Sequence, residues 1–230
     1  MSKYHTVQIS CPECETVFDV TKWDSVNVQL NPEEKEKILS GDFFNHQCPE
    51  CETFSCILYT CLYHDMSSQL MVYLIPLEAG EDPSEALGMI ENASQLLDDP
   101  SADLVVFKDG YKHRVVFHRD DLIEKIKISD DGLDDRVIEV LKLIMLSQLG
   151  EDVAPAKIEY FLFDTINGKR EFAVFLDSGD IGQVDFPQDA YDKIETSFAQ
   201  AIEAGTPKGF LVADRKWAYE EVLKKVDSND

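Results

Sequence analysis

A chain of 230 residues that is 44% hydrophobic and 10% aromatic has the apolar material for packed cores, which excludes wholesale disorder. Its formal charge of −24, with no Lys or Arg between Ile38 and Phe107, excludes the basic stripe that neutralises nucleic-acid phosphates; the acidity serves solubility first and a basic protein partner second. The longest apolar run, Leu70 to Leu77, falls far short of the roughly 18 residues that cross a bilayer, and the polar start Met1-Ser2-Lys3-Tyr4-His5 lacks a signal-peptide core, so a cytoplasmic chain off the membrane is expected.

The first informative element is a repeated one. Cys11-Pro12-Glu13-Cys14-Glu15-Thr16 and Cys48-Pro49-Glu50-Cys51-Glu52-Thr53 are near-copies. Two residues between cysteines let both sulfurs reach one ion from a tight turn, and the intervening proline lowers the entropy of ordering it. Two such turns supply four sulfurs in a tetrahedron, the closed arrangement of a structural zinc site with no position left to activate water. Cys11, Cys14, Cys48 and Cys51 are therefore the candidate metal ligands, with zinc as the cofactor. A redox dithiol or disulfide, and unliganded thiols, are the alternatives; β-branched and aromatic residues after each turn favour strands over the helix that a redox Cys-x-x-Cys opens. Glycine often follows such a turn, where a positive backbone angle is cheap, and here Glu15 and Glu52 stand instead.

Between the turns, Thr16 to Val20 and the alternating Val26, Val28 and Leu30 read as strands. Asn31-Pro32-Glu33-Glu34 then supplies an N-cap, a first-turn proline and a capping-box acid, and Gly41 a stop. That inserted helix explains why 33 residues separate the two turns. Thr53 to Ile57 follows as a strand. Cys56 and Cys61, placed on one strand, point to opposite faces as buried small apolar residues, with a spare ligand or redox-sensitive thiol as the alternative.

These residues resemble the CpXC family of bacterial and archaeal proteins, which carries two Cys-Pro-x-Cys motifs. The likeness extends to Trp23-Asp24-Ser25-Val26-Asn27-Val28, to the helix Asn31 to Leu39, and to Gly41-Asp42-Phe43-Phe44. It continues through Leu62-Tyr63-His64-Asp65, Met71 to Pro76, Glu124-Lys125-Ile126 and Asp131 to Arg136, so it spans about residues 9 to 145. The resemblance implies the four-cysteine set and a prokaryotic intracellular setting, and it brings no established activity. Cys56, Cys61, Glu15 and Glu52 lie outside the motif.

Leu77 to Asp82 reads as a linker, and Asp82-Pro83-Ser84-Glu85 opens an amphipathic helix carrying Ala86, Met89, Ile90, Ala93, Leu96 and Leu97 on one face. Leu104 to Phe107 and Arg114 to Phe117 are strand candidates around Asp109-Gly110. Helices follow from about Asp120 to Ile128 and after the cap Asp134, the second apolar on most sides through Val137, Ile138, Leu141, Ile144 and Leu146. Beyond Pro155, Lys157 to Thr165 and Lys169 to Leu176 flank Asn167-Gly168, a hairpin signal. A strand at Gln183 to Phe186, a helix from Gln188 to Ala204, a strand at Gly209 to Ala213 and a final helix with Trp217, Tyr219, Val222 and Leu223 complete the pattern.

The expected fold class is α+β. A zinc-ribbon-like β module (1–77) with an inserted helix leads into a linker and mainly helical region (78–150), then a small α+β domain (156–226) and a polar tail (227–230). Phosphate loops, dinucleotide fingerprints and His-Glu-x-x-His helices are missing from the sequence. His64-Asp65 is the best acid–base candidate, set against a strand-end turn in which Asp65 caps backbone groups. His46 could replace a sulfur, and Asp130, Asp131, Asp134 and Asp135 could chelate a hard cation or simply cap a helix entrance. The reading is a non-catalytic, zinc-stabilised module for protein interaction or regulation. The alternative is an enzyme with a site between the two units that uses His64 and Asp65.

Overall fold

The computed structural model describes residues 2–78, 80–88, 90, 110–148 and 158–227. The described residues form a mixed α+β structure with three sheets, and the chain divides into two compact units, Met1–Ile123 and Glu124–Asp230. The division falls inside the helix Arg119–Asp130.

The first unit is built on a five-stranded sheet, ordered β1-β2-β5-β6-β7. Its strands are β1 (Lys3–Ser10), β2 (Val17–Asn27), β5 (Cys61–Asp65), β6 (Leu70–Leu74) and β7 (Lys112–Val116). A two-stranded ribbon, β3 (Asn45–Gln47) with β4 (Phe54–Cys56), stands apart from it. β1 and β2 are antiparallel, while β2 and β5 are parallel. A parallel pair needs a long crossover. Residues 28–60 supply it, and they hold the helix Pro32–Ser40, the β3–β4 ribbon and the second cysteine turn.

That helix stands where the proline and glycine signals place it. Gly41, at φ 81°, closes it by donating its N–H to Ile38 O. Asn31 occupies the N-cap position without making a side-chain cap; its amide donates instead to Glu33. Helix and sheet are joined by aromatic packing. Phe44 is 1% exposed and meets Phe43 at 4.9 Å and Tyr59 at 5.2 Å, both edge-on, and Phe43 reaches Trp23 at 6.5 Å. Burying each such ring contributes about 1.5–3 kcal/mol.

Several expectations change here. β1 was not anticipated; its side chains are mostly exposed, and only Val7 and Ile9 alternate with polar neighbours at its end. The two strands expected at Thr16 to Val20 and Val26 to Leu30 are one strand that ends at Asn27; residues 28–30 turn, with Asn27 Oδ1 accepting from Gln29 N and Leu30 63% exposed. Cys56 and Cys61 sit on different strands in different sheets, Cys56 exposed and Cys61 buried. Helix 83–88 starts as the capping acid suggests, with Asp82 Oδ1 accepting from Ser84 N, while Met89, Ala93, Leu96, Leu97 and the strand candidate Leu104 to Phe107 lie outside the described residues. The described partner of β7 is β6, in parallel register.

The second unit packs the helix Asp135–Ser147 against a three-stranded sheet ordered β10-β9-β8. β8 (Ile158–Ile166) and β9 (Lys169–Leu176) join through Asn167 and Gly168 at φ 52° and 77°, the left-handed pair that a two-residue hairpin turn demands. β10 (Ile181–Asp185) completes the sheet. The expected single helix is two, Gln188–Ser197 and Ala199–Ala204, broken at Phe198. The expected strand at Gly209 to Ala213 is irregular except for one bridge at Leu211, although Leu211 and Ala213 are buried in the core. Residues 215–227 are helical, with a wide π segment Ala218–Leu223.

The helix Asp135–Ser147 is buried on most sides, as its apolar pattern suggested, but it carries charge inward as well. Lys125 Nζ bonds Glu139 at 3.0 Å and Ala213 O at 2.7 Å and lies 3.4 Å from Asp135; Lys142 bonds Glu124 at 2.8 Å and Glu139 at 3.1 Å. Glu124 also accepts from Phe163 N. All five side chains are buried. Burial alone would lower the Lys125 ammonium, yet Glu139 and Asp135 hold it above its ordinary value, and burial lifts the Glu124 carboxyl against the pull of Lys142.

Candidate metal centre

Each cysteine turn is the loop of a β-hairpin. Ser10 pairs with Val17 across the first, and Gln47 with Phe54 across the second, so the six repeated residues are the two loops. Their internal bonds are the same. Cys11 N donates to Thr16 O at 2.9 Å and Glu15 N to Cys11 O at 3.0 Å; Cys48 N donates to Thr53 O at 2.9 Å and Glu52 N to Cys48 O at 3.0 Å. Glu15 and Glu52 take φ 60° and 61°, the left-handed conformation for which glycine is the usual choice.

The two loops bring their sulfurs together. Sγ atoms of Cys11, Cys14, Cys48 and Cys51 all lie within 4.8 Å of one another. Cys11 and Cys51 are 3.5 Å apart, and Cys14 and Cys48 3.6 Å. A tetrahedral site with metal–sulfur bonds of about 2.3 Å needs sulfurs about 3.8 Å apart, so the donor set fits such an ion. Two sulfurs, on Cys11 and Cys48, belong to buried residues; Cys14 and Cys51 are exposed.

The surroundings treat Cys11 and Cys51 differently. N–H groups of Cys14 and Glu13 lie against the Cys11 sulfur, and the hydroxyl and N–H of Thr53 against that of Cys51. Cys51 is held down to about 6, chiefly by the Thr53 hydroxyl. The Cys11 thiol is pushed up to about 11, because the N–H groups of Cys14 and Glu13, which lower it, are outweighed by its burial and the nearby Cys51 and Cys14 sulfurs. In the other loop Cys14 Sγ donates to Thr16 Oγ1 at 3.3 Å. These threonines were read only as strand residues; the signal that could have found them is their identical place in both copies.

The other candidates are placed elsewhere. His46 does not belong to the four-sulfur group; burial lowers its imidazole, and its Nε2 has no hydrogen-bond partner among the described residues. His64 and Asp65 are successive residues of β5 and so face opposite sides of the sheet. Asp65 is engaged in a turn. Its Oδ1 accepts from Gln29 Nε2 at 2.8 Å, Ser67 N at 2.9 Å and Ser68 N at 3.3 Å, and Lys35 lies 3.5 Å from Oδ2. His64 Nε2 is 3.4 Å from the Tyr111 hydroxyl. Of the helix-entrance aspartates, Asp131 takes Arg170 and Thr165, Asp134 caps Arg136 N, and Asp135 faces Lys125. Among the described residues no helix is long and apolar enough to cross a membrane.

No curated protein and no solved structure matches the chain. A family model does, over residues 9–142, more than half of the sequence and including all four clustered cysteines. By that match the chain belongs to the CpXC protein family.

Proposed function

We propose that Cys11, Cys14, Cys48 and Cys51 hold one zinc ion in a closed, structural site, and that the chain is a non-catalytic module for protein interaction or regulation. The observation that supports this most is the convergence of four sulfurs from two loops with the same hydrogen bonds and backbone angles. Four protein sulfurs complete a tetrahedral shell, and a saturated ion serves as a cross-link rather than a Lewis acid. When bound, zinc supplies that cross-link between two hairpins that otherwise expose much of their surface. Such a tie contributes on the order of 10–16 kcal/mol in finger peptides.

Thiolate ligands need a reducing compartment, which favours the cytoplasm. A charge of −24 favours a protein partner with a basic surface over nucleic acid. Elemental analysis of carefully reduced protein tests the metal, with one zinc per chain expected. Cys48→Ser should lose the metal and the order of residues 1–77 together, and a folded variant with full metal content would sink the ligand assignment. Pull-down from cell extract, with metal-free protein as control, tests the partner.

A further inference from the structure

The four sulfurs are not equivalent, and their arrangement suggests a response to oxidants. Exposed Cys51 lies 3.5 Å from buried Cys11, and exposed Cys14 lies 3.6 Å from buried Cys48. Each of these two cross-loop contacts joins one accessible sulfur to one sheltered sulfur.

We propose that the cluster releases its metal when oxidised by a peroxide, closing two cross-loop disulfides, Cys11–Cys51 and Cys14–Cys48. This rests on the zinc reading above. An exposed thiolate attacks one peroxide oxygen, the O–O bond breaks, and the sulfur becomes a sulfenic acid while the other oxygen leaves as hydroxide and is protonated to water. The buried thiolate within reach then attacks the sulfenic sulfur, forms the S–S bond and expels a second hydroxide, which takes another proton. Two rounds consume two peroxides, four thiolates and four protons; they yield two disulfides, four waters and the free ion. A disulfide sulfur is a poor metal ligand, so release is coupled to bond formation.

The test uses the full-length chain carrying Cys56→Ser, which removes an exposed thiol outside the cluster. Zinc content is measured first; the protein is then titrated with hydrogen peroxide while a chromogenic chelator reports released zinc, and cross-links are mapped on non-reduced peptides. Two peroxides per zinc released, both cross-loop disulfides, and recovery with a thiol reductant plus zinc are expected. Zinc retained at a tenfold excess of peroxide overturns the inference, as do Cys11–Cys14 and Cys48–Cys51 cross-links or sulfinic acids in place of disulfides. Protein that holds no zinc before peroxide is added overturns the metal reading itself, and the inference with it.

Discussion

Glu15 and Glu52 occupy the same left-handed backbone position, at φ 60° and 61°, one residue past the second cysteine of each loop. A side chain with a Cβ is strained there by roughly 1 kcal/mol relative to glycine, and part of that gain is lost again because glycine also loosens the unfolded chain. Glu52→Gly should therefore raise the stability of the first unit by about 0.5 kcal/mol, whereas Glu52→Val, β-branched at a positive φ, should lower it by more than about 1 kcal/mol. Denaturant midpoints of the two variants decide the point; a Val variant as stable as the parent would show that the loop does not hold this angle.

The Thr53 hydroxyl lies against the Cys51 sulfur and favours its thiolate. Removing such a second partner typically costs 10–100-fold in metal affinity. Thr53→Val keeps the shape and the β-branching but deletes the donor. Competition against a chelator should show zinc held about tenfold more weakly, with the fold unchanged by circular dichroism. An unchanged affinity would mean that the hydroxyl plays no part.

Much of the four-cysteine cluster could be read from the sequence because the motif is local. Six residues fix each loop, and their repetition announces that the two belong together. The positions Glu15 and Glu52 stood out for the same reason, as places where glycine was expected. Sheet connectivity was harder to see. β1 is mostly exposed and alternates only over Val7 to Ser10, too short a stretch to stand out, and the parallel pairing of β2 with β5 depends on contacts about 37 residues apart in sequence. Tertiary packing also overrode local pattern at Leu211 and Ala213, which are buried although only Leu211 makes a bridge and neither belongs to a strand. Nothing in the sequence announces that Glu139 and Lys142 are buried, since charges three apart on a helix ordinarily mark a solvated face.

Asp65 supplies a pH dependence with a definite sign. Burial raises its carboxyl, but the Gln29 amide, the N–H groups of Ser68 and Ser67, and Lys35 outweigh that and hold it below the ordinary value. A carboxyl depressed by folding contributes stability that is complete above its unfolded value of about 3.9 and disappears as pH falls through the lower folded value. The parent should therefore lose this contribution only in acid. Asp65→Asn should be less stable by about 1.5–3 kcal/mol at neutral pH and should show a shallower loss below about pH 4. Urea midpoints across that range check both statements, and parallel pH profiles would refute the second.

Lys142 stands between Glu124 and Glu139, with side chains 3–6% exposed. Replacing it by methionine keeps the length and apolar stem but leaves the buried Glu124 without its ion-pair partner, while Glu139 keeps Lys125. Breaking one partner out of a buried ion pair costs about 3–5 kcal/mol, a large share of the 5–15 kcal/mol that holds an ordinary domain. Lys142→Met should cost that much, and adding Glu124→Gln should recover part of it, because the amide oxygen still accepts from Phe163 N while one negative charge is gone. The effect should appear as a lowered denaturation midpoint of the full-length chain. The same network makes residues 124–142, which lie within the family match, depend on Phe163 and Ala213 beyond it. A single variant that costs less than about 1 kcal/mol would mean that these charges are reached by water after all, and the helices would then owe their hold to apolar packing alone.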